Sequence, residues 1–345
     1  MKNFKNVFLI LFGLTVFTCG GQSYDSPVEY LGVINIHSDK IKNDMWDYSR
    51  AIAHDKGAHK IESNRKDIIK TIQEAQKTIG AMPGYNGDAS YRDTVLNFLE
   101  LTYHIMTEDY AKIVDMEEIA ENSYDLMEAY LNAQQAASEK QAAAGERLIA
   151  GQKKFAENNN INLIIEEDKT AIKLAKANEV FDYYQKIYLI FFKANKQELY
   201  LIDAMNRQDI SAMEQNNATL LQFAEEGIAK LKEVKPYDGD NSLIKSTMDA
   251  LNFYKEEAKT MTPKQIDYFL DTEQFNSIQK ALDKKPENKR TQQDIDKFNA
   301  AVAKYNESVN VFNQVNETAN NKRNVVISAW NNSAKNFTKR HIDAR

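Results

Sequence analysis

The sequence predicts an all-α protein made of two tandem, duplicated antiparallel helical bundles of three to four long helices each. Three observations carry that prediction. Only 12 of 345 residues are Gly and 5 are Pro, while the good helix formers Ala, Lys, Glu, Gln and Leu are abundant. Apolar residues recur at three-and-four spacing over long stretches, the period of a helix with one buried face. One loop, with the helices that flank it, is written twice.

The chain opens MKNFKNVFLILFGLTVFTCGGQ. Lys2 and Lys5 precede an apolar run from Val7 to Phe17, interrupted by Gly13 and Thr15. A spanning helix needs about 20 residues, so this shorter run reads as the core of a signal peptide. Cys19 follows and is the sole cysteine, so no internal disulfide is available to it. A cysteine in this place resembles the lipobox of bacterial lipoproteins, with Phe17 and Thr18 standing where that motif has small residues. The resemblance implies that residues 1–18 are removed, that Cys19 is lipidated, and that 19–27 form a tether. It further implies an outer membrane lipoprotein, exposed at the cell surface or on the periplasmic face. Its contact with the membrane is the N-terminal lipid, worth roughly 0.8 kcal/mol per buried CH₂. The alternative reading is a cleaved secretory signal followed by a free cysteine.

More than 320 residues follow Cys19, enough for two domains. Without Lys2 and Lys5 the formal charge moves from −6 to −8. An acidic body argues against nucleic acid as a partner, because that binding depends on Lys and Arg at phosphates. It argues equally against a polybasic membrane-surface protein.

Prolines mark element ends in order along the chain. Pro27 follows the tether, Pro83 and Pro236 precede the two copies of the loop, and Pro286 lies in KKPENKR. Thr262-Pro263-Lys264-Gln265 combines an N-cap, a first-turn proline and a capping-box glutamine, and is the strongest helix-start signal. Phe181, Tyr184, Tyr188, Phe191, Ile202 and Met205 form one apolar stripe, which Asn195 and Glu198 interrupt. Phe298, Val302, Tyr305, Val309, Phe312, Asn316 and Ala319 form a second, which Val326, Trp330 and Phe337 continue. Aromatic residues at helical spacing are expected to fill a bundle seam. Only NINLII (160–165) has a short strand-like pattern, and no sheet is expected.

The repeat is defined by offset. Tyr85, Gly87, Asp88 and Ser90 recur as Tyr237, Gly239, Asp240 and Ser242, each 152 positions later. Upstream, Ile68, Ile69, Ala75 and Ile79 match Leu220, Leu221, Gly227 and Leu231 at the same offset. Downstream, Leu96-Asn97-Phe98 matches Leu251-Asn252-Phe253 at an offset of 155, which runs on to Met106-Thr107 against Met261-Thr262. A three-residue change is close to one helical turn of about 3.6 residues, and it makes Thr107 the counterpart of Thr262. Each half then reads as helix, helix, Tyr-x-Gly-Asp loop, helix and long returning helix. The first spans 28–165 and the second 166–345, with the polar stretch FAENNN (155–160) near the boundary. Within the loops, Gly87 and Gly239 suit a positive φ that closes one helix. Asp88, Ser90, Asp240 and Ser242 are candidates to cap the next, and Tyr85 and Tyr237 to lie as lids over the bundle ends.

Cys19, the Tyr-x-Gly-Asp-x-Ser loop leading to LNFLELTY and LNFYKEEA, and Gln-rich helices such as LNAQQAASEKQ resemble a family of uncharacterised all-helical surface lipoproteins of spirochaetes and Bacteroidota. The resemblance covers most of the chain after Cys19. It implies an address and a helical fold, and no chemistry.

No catalytic pattern is met. A di-iron bundle needs two Glu-x-x-His pairs, and residues Leu101 and Thr338 precede His104 and His341 instead. Glu100, His104 and Glu108 are spaced to share a helix face, and are expected to be a solvated polar face. His54 and His59 are five apart and do not share one. There is no Gly-x-Ser-x-Gly elbow and no Gly-rich phosphate loop. The basic residues Lys322, Arg323, Lys335, Lys339, Arg340 and Arg345 read as a solvated helix face or as a contact for anionic lipid or an acidic partner. The sequence thus predicts no catalytic residue, no metal and no cofactor. It predicts a membrane-anchored interaction or structural module whose protein partner is unspecified. The alternative is a ligand- or metal-binding lipoprotein using a bundle core or a cleft between bundles, which a polar-lined cavity would favour.

Overall fold

The computed structural model of the protein describes residues 24–109, 120–163 and 168–343. The segment 1–18 and Cys19 lie outside them, as do Tyr110, Ile164, Ile165 and Arg345. The described residues form helices and no strand. α1 (Pro27–Ala53) and α2 (Ala58–Gly80) precede the first copy of the loop, α3 (Ser90–His104) runs into a π turn (Ile105–Asp109), and α4 is Tyr124–Asn158. α5 (Lys169–Asn206) and α6 (Ile210–Lys232) precede the second copy. There α7 (Ser242–Glu256) passes through a π turn (Glu257–Met261) into α8 (Thr262–Asp283), and a 3₁₀ turn (Glu287–Lys289) leads to α9 (Gln292–His341). None of the described helices is long and apolar enough to cross a membrane.

Two compact units divide the chain. The first is Met1–Gln185 with Lys335–Arg345, and the second is Lys186–Ala334. The division falls inside α5 and α9 rather than at the polar stretch near residue 160. α5 has no seam where a boundary could form near its start, because its buried positions continue from Ala171, Leu174, Ala177 and Val180 to Ile187, Phe191, Ala194 and Leu201.

In the first unit, α1 starts on Pro27, with the Ser26 hydroxyl accepting the Glu29 amide at 3.2 Å. Tyr30, Leu31, Ile34, Ile41 and Met45 face Ile68, Ile72, Ala75 and Ile79 of α2, all nearly inaccessible. The buried Lys42 pairs with Asp39 and with Asp168, whose other oxygen caps α5 at the amides of Thr170 and Ala171. At the bundle end Tyr85 leans on Tyr30 and Phe155, with centroids 5.6 and 5.8 Å apart. In the second unit Tyr268 stacks on Phe312 at 4.2 Å and Phe275 on Tyr305 at 4.9 Å. Trp330 stacks on Phe191 at 4.0 Å and donates to Thr247 Oγ1 at 3.0 Å. The aromatic stripes of the sequence are therefore packing.

Two consecutive helices and the π turn that follows them recur at one constant offset. α2 and α6 are both 23 residues long, α3 and α7 both 15, and the starts of each pair, Ala58 with Ile210 and Ser90 with Ser242, are 152 apart. The π turns keep that offset. So does a contact that supports them: Arg65 Nη1 donates to the Met106 carbonyl, and Asn217 Nδ2 to the Ala258 carbonyl. A π turn shifts the ladder by one residue and frees carbonyls, and these side chains take them up. This corrects the expected shift to 155. Leu99 and Leu251 are the buried counterparts, and the second Leu-Asn-Phe coincides with the first only as letters.

The same turn corrects the reading of Thr262. Its backbone is helical (φ −56°, ψ −40°) and its amide bonds the Glu257 carbonyl five residues back. Pro263 lacks the N–H a regular helix would use, and the π turn accommodates it without ending the helical run. Gln265, expected as the capping glutamine, donates across to Asn316 instead. Thr107 likewise lies inside its π turn and bonds the Tyr103 carbonyl.

Candidate functional site

The repeated loops are corners. Asn86 and Gly87 have φ of 49° and 84°, and Asp238 and Gly239 of 48° and 80°. Positive φ at both central residues, with the flanking Tyr85–Asp88 and Tyr237–Asp240 bridges, makes each a two-residue type I′ turn. The glycines therefore serve a hairpin-like turn several residues beyond the helix end, not the helix C-cap expected. The first helical amides, of Ser90 and Ser242, donate to Asp88 and Asp240 at 2.8 Å. The cap falls to the aspartates; Ser242 Oγ is buried without a bond. Tyr85 and Tyr237 are both half-buried. Cys19 lies outside the described residues.

Glu100, His104 and Glu108 do meet. His104 Nε2 and Nδ1 each lie 2.9 Å from one of the two carboxylates, and Glu108 first, then Glu100, raises the imidazole pKa. Both ring nitrogens are occupied and all three side chains are about half exposed, so this is a surface ion-pair ladder. Among the described residues no group of three or more His, Cys, Asp or Glu side chains is placed to hold a metal ion. Three members of the basic C-terminal stretch are spent within units: Lys322 on Glu256, Lys335 on Asp55, and Arg323 in a buried cluster.

That cluster is the main feature the sequence reading did not identify. Glu198 of α5 and Glu257 of the second π turn are 1% and 2% exposed. Arg323 of α9 reaches both, Nε to Glu198 Oε1 and Nη2 to Glu257 Oε1, each at 2.5 Å. Its Nη1 donates to Asn320, and its guanidinium lies 5.8 Å from the centre of the Phe253 ring. The single hydroxyl proton of Tyr254 lies between Glu198, which accepts it, and Asn195 Oδ1, at a long 3.4 Å. Burial raises the pKa of Glu198, against the pull of Arg323. Burial, and then the charge of Glu198, pushes Glu257 up to about 8. Two buried carboxylates thus share one partly exposed guanidinium. The first unit solves the same positions without charge: 152 residues earlier stand Trp46, Thr102 and Ile105, all buried.

An accessible site lies in the first unit, between α1, α4, α5 and the π turn. It is a cavity of about 170 Å³, comparable to the roughly 150 Å³ apolar cavity that admits benzene. Buried Met45, Tyr48 and Met106 form its floor. Gln134 and Gln185, bonded to each other at 2.8 Å, edge it, and Asn178 Nδ2 is buried without an acceptor. Asp182 is the charged residue among those lining it, and loss of solvent, then Glu179, raises its carboxyl. No family model, no curated protein and no solved structure matches this chain.

Proposed function

We propose that the chain is a lipid-anchored lipoprotein of the cell envelope that acts by binding rather than by catalysis. The anchor is the lipid on Cys19, and the acidic helical body carries the binding surface. A single ancestral bundle, duplicated in tandem, accounts for the two units and their constant offset. The observation that carries the binding reading is the cavity of the first unit, with an apolar floor, an amide edge and a donor left without an acceptor. Its lining mixes apolar and aromatic side chains with amides, hydroxyls and one carboxyl, and polar groups placed beside an apolar floor are what orient a small ligand. Its size suits a compact, partly apolar molecule carrying an oxygen acceptor. The perturbed carboxylates of the second unit support non-enzymatic action because they are sealed in the core.

Two measurements test this reading. Cells carrying wild-type or Cys19→Ala protein are fractionated and treated with protease before and after lysis. Wild type is expected with the membrane and the variant in the soluble fraction; a variant that stays with the membrane ends the lipoprotein reading. Wild type and Ser138→Trp, a substitution at the cavity lining, are then compared in thermal-shift screens of compact, partly apolar molecules that carry an oxygen acceptor. Ligands that raise the melting temperature of wild type alone support the cavity. Ligands that act on both place the binding elsewhere.

A further inference from the structure

The second unit buries two carboxylates on one guanidinium, and the arrangement leaves one negative charge away from bulk solvent. A buried unpaired charge is far costlier than a buried neutral carboxyl, so such a group takes up a proton instead. The geometry indicates where the proton sits. Glu198 receives Arg323 Nε and the Tyr254 hydroxyl, so its oxygens are met by donors. Glu257 Oε1 receives Arg323 Nη2, but Glu257 Oε2 is buried and no donor points at it. The two carboxyl groups are within hydrogen-bonding reach of each other, and a pair of carboxyls that close holds together only when one carries hydrogen.

We propose that the core of the second unit is a proton-binding site, in which Glu257 carries the proton on Oε2 and donates it to Glu198. Folding of this unit is thereby coupled to the uptake of one proton. Every element around the pair contributes to the balance. α5 presents Glu198 and the neutral Asn195, α9 presents Arg323, and α7 presents Tyr254. α6 presents Asn217 to the turn, and its Glu225 is engaged outside by Lys255 and Lys259. Among the described residues Arg323 is the cation paired with each carboxyl, and it is shared between the two.

The first unit is an internal control, since Trp46, Thr102 and Ile105 occupy the matching places. The chain has two tryptophans, Trp46 in the first unit and Trp330 in the second. The Trp46→Phe protein therefore reports the second unit through Trp330 fluorescence, and the Trp330→Phe protein reports the first. The experiment compares Glu257 with Glu257→Gln, which stays neutral at every pH, in both backgrounds. Between about pH 5 and pH 8 the Trp330-reported unfolding constant of the Glu257 protein should rise, relative to Glu257→Gln, by up to about tenfold per pH unit, the effect of one proton. The Trp46-reported transition should show no such difference. Infrared spectra at pH 7 should contain a protonated-carboxyl band that Glu257→Gln removes. Parallel pH profiles of the two proteins in the Trp330 channel, or an infrared band unchanged by the substitution, would overturn the proposal. Loss of the band in Glu198→Gln but not in Glu257→Gln would also overturn it, by moving the proton to the other carboxyl.

Discussion

Arg323 carries more of the second unit than its place on a basic stretch suggests. Removing it leaves Glu198 and Glu257 buried with no cation, and breaking a buried pair from one side costs about 3–5 kcal/mol. Arg323→Leu should lower stability by that amount in urea unfolding followed at Trp330. Replacing all three charges at once is a different experiment. Glu198→Leu with Glu257→Ile and Arg323→Leu imitates the apolar solution of the first unit and should recover most of the loss, because well-packed apolar substitutes for buried ion pairs are often neutral or stabilising. A triple variant no more stable than Arg323→Leu would show that the positions are not interchangeable between units. Two of the three residues were legible in the sequence. Glu198 interrupts one apolar stripe, and Arg323 fills the step between Ala319 and Val326 in another. Opposite charges in the seams of two helices signal a buried pair. Glu257 was not legible, because its inward turn depends on the π turn, which no local spacing announces.

At the scale of elements, the repeated loop shows how one short motif resists change for two reasons. Gly87 has φ 84° and open space around a built Cβ, so its constraint is backbone conformation alone. Gly84 has no such φ, but a Cβ there would lie 2.9 Å from the backbone of Asp88 and Ala89. Gly87→Ala should cost roughly 1–2 kcal/mol, the penalty of a left-handed residue. Gly84→Ala should cost more, since main-chain atoms must move. Urea unfolding of the two single variants checks the order, and the reverse order would mean the loop relaxes freely. The positive φ at Gly87 and Gly239 was readable, and its setting was not. Asn-Gly and Asp-Gly mark a type I′ turn, and reading the glycines as helix caps passed over that pairing. The helix-start signal at Thr262 misled for a related reason. Capping residues and Pro263 look alike whether a helix begins there or passes through a π turn, and only the ladder five residues back distinguishes the two.

At the scale of the whole molecule, the order of the chain and the order of folding units disagree. The last residues, 335–345, belong with the first 185. Phe337 and Ile342 are 0% and 1% exposed, and Phe337 stacks on Tyr183 at 5.4 Å. His54 bonds the Ile342 carbonyl at 2.9 Å, and Thr338 donates to the Ala53 carbonyl at 3.1 Å, so the segment closes the end of α1. The sequence boundary at 165/166 could not reveal this, because the contacts that decide it join residues nearly 290 positions apart. Ending the chain at Ala334 should therefore destabilise the amino-terminal unit. Burying one large apolar side chain contributes about 1.5–3 kcal/mol, so losing Phe337 and Ile342 together amounts to several. In the single-tryptophan proteins the Trp46 transition should fall well below that of the full chain, while the Trp330 transition moves little. The opposite pattern, with Trp330 shifted and Trp46 unmoved, would assign the carboxyl-terminal turns to the second unit and restore a division that follows chain order.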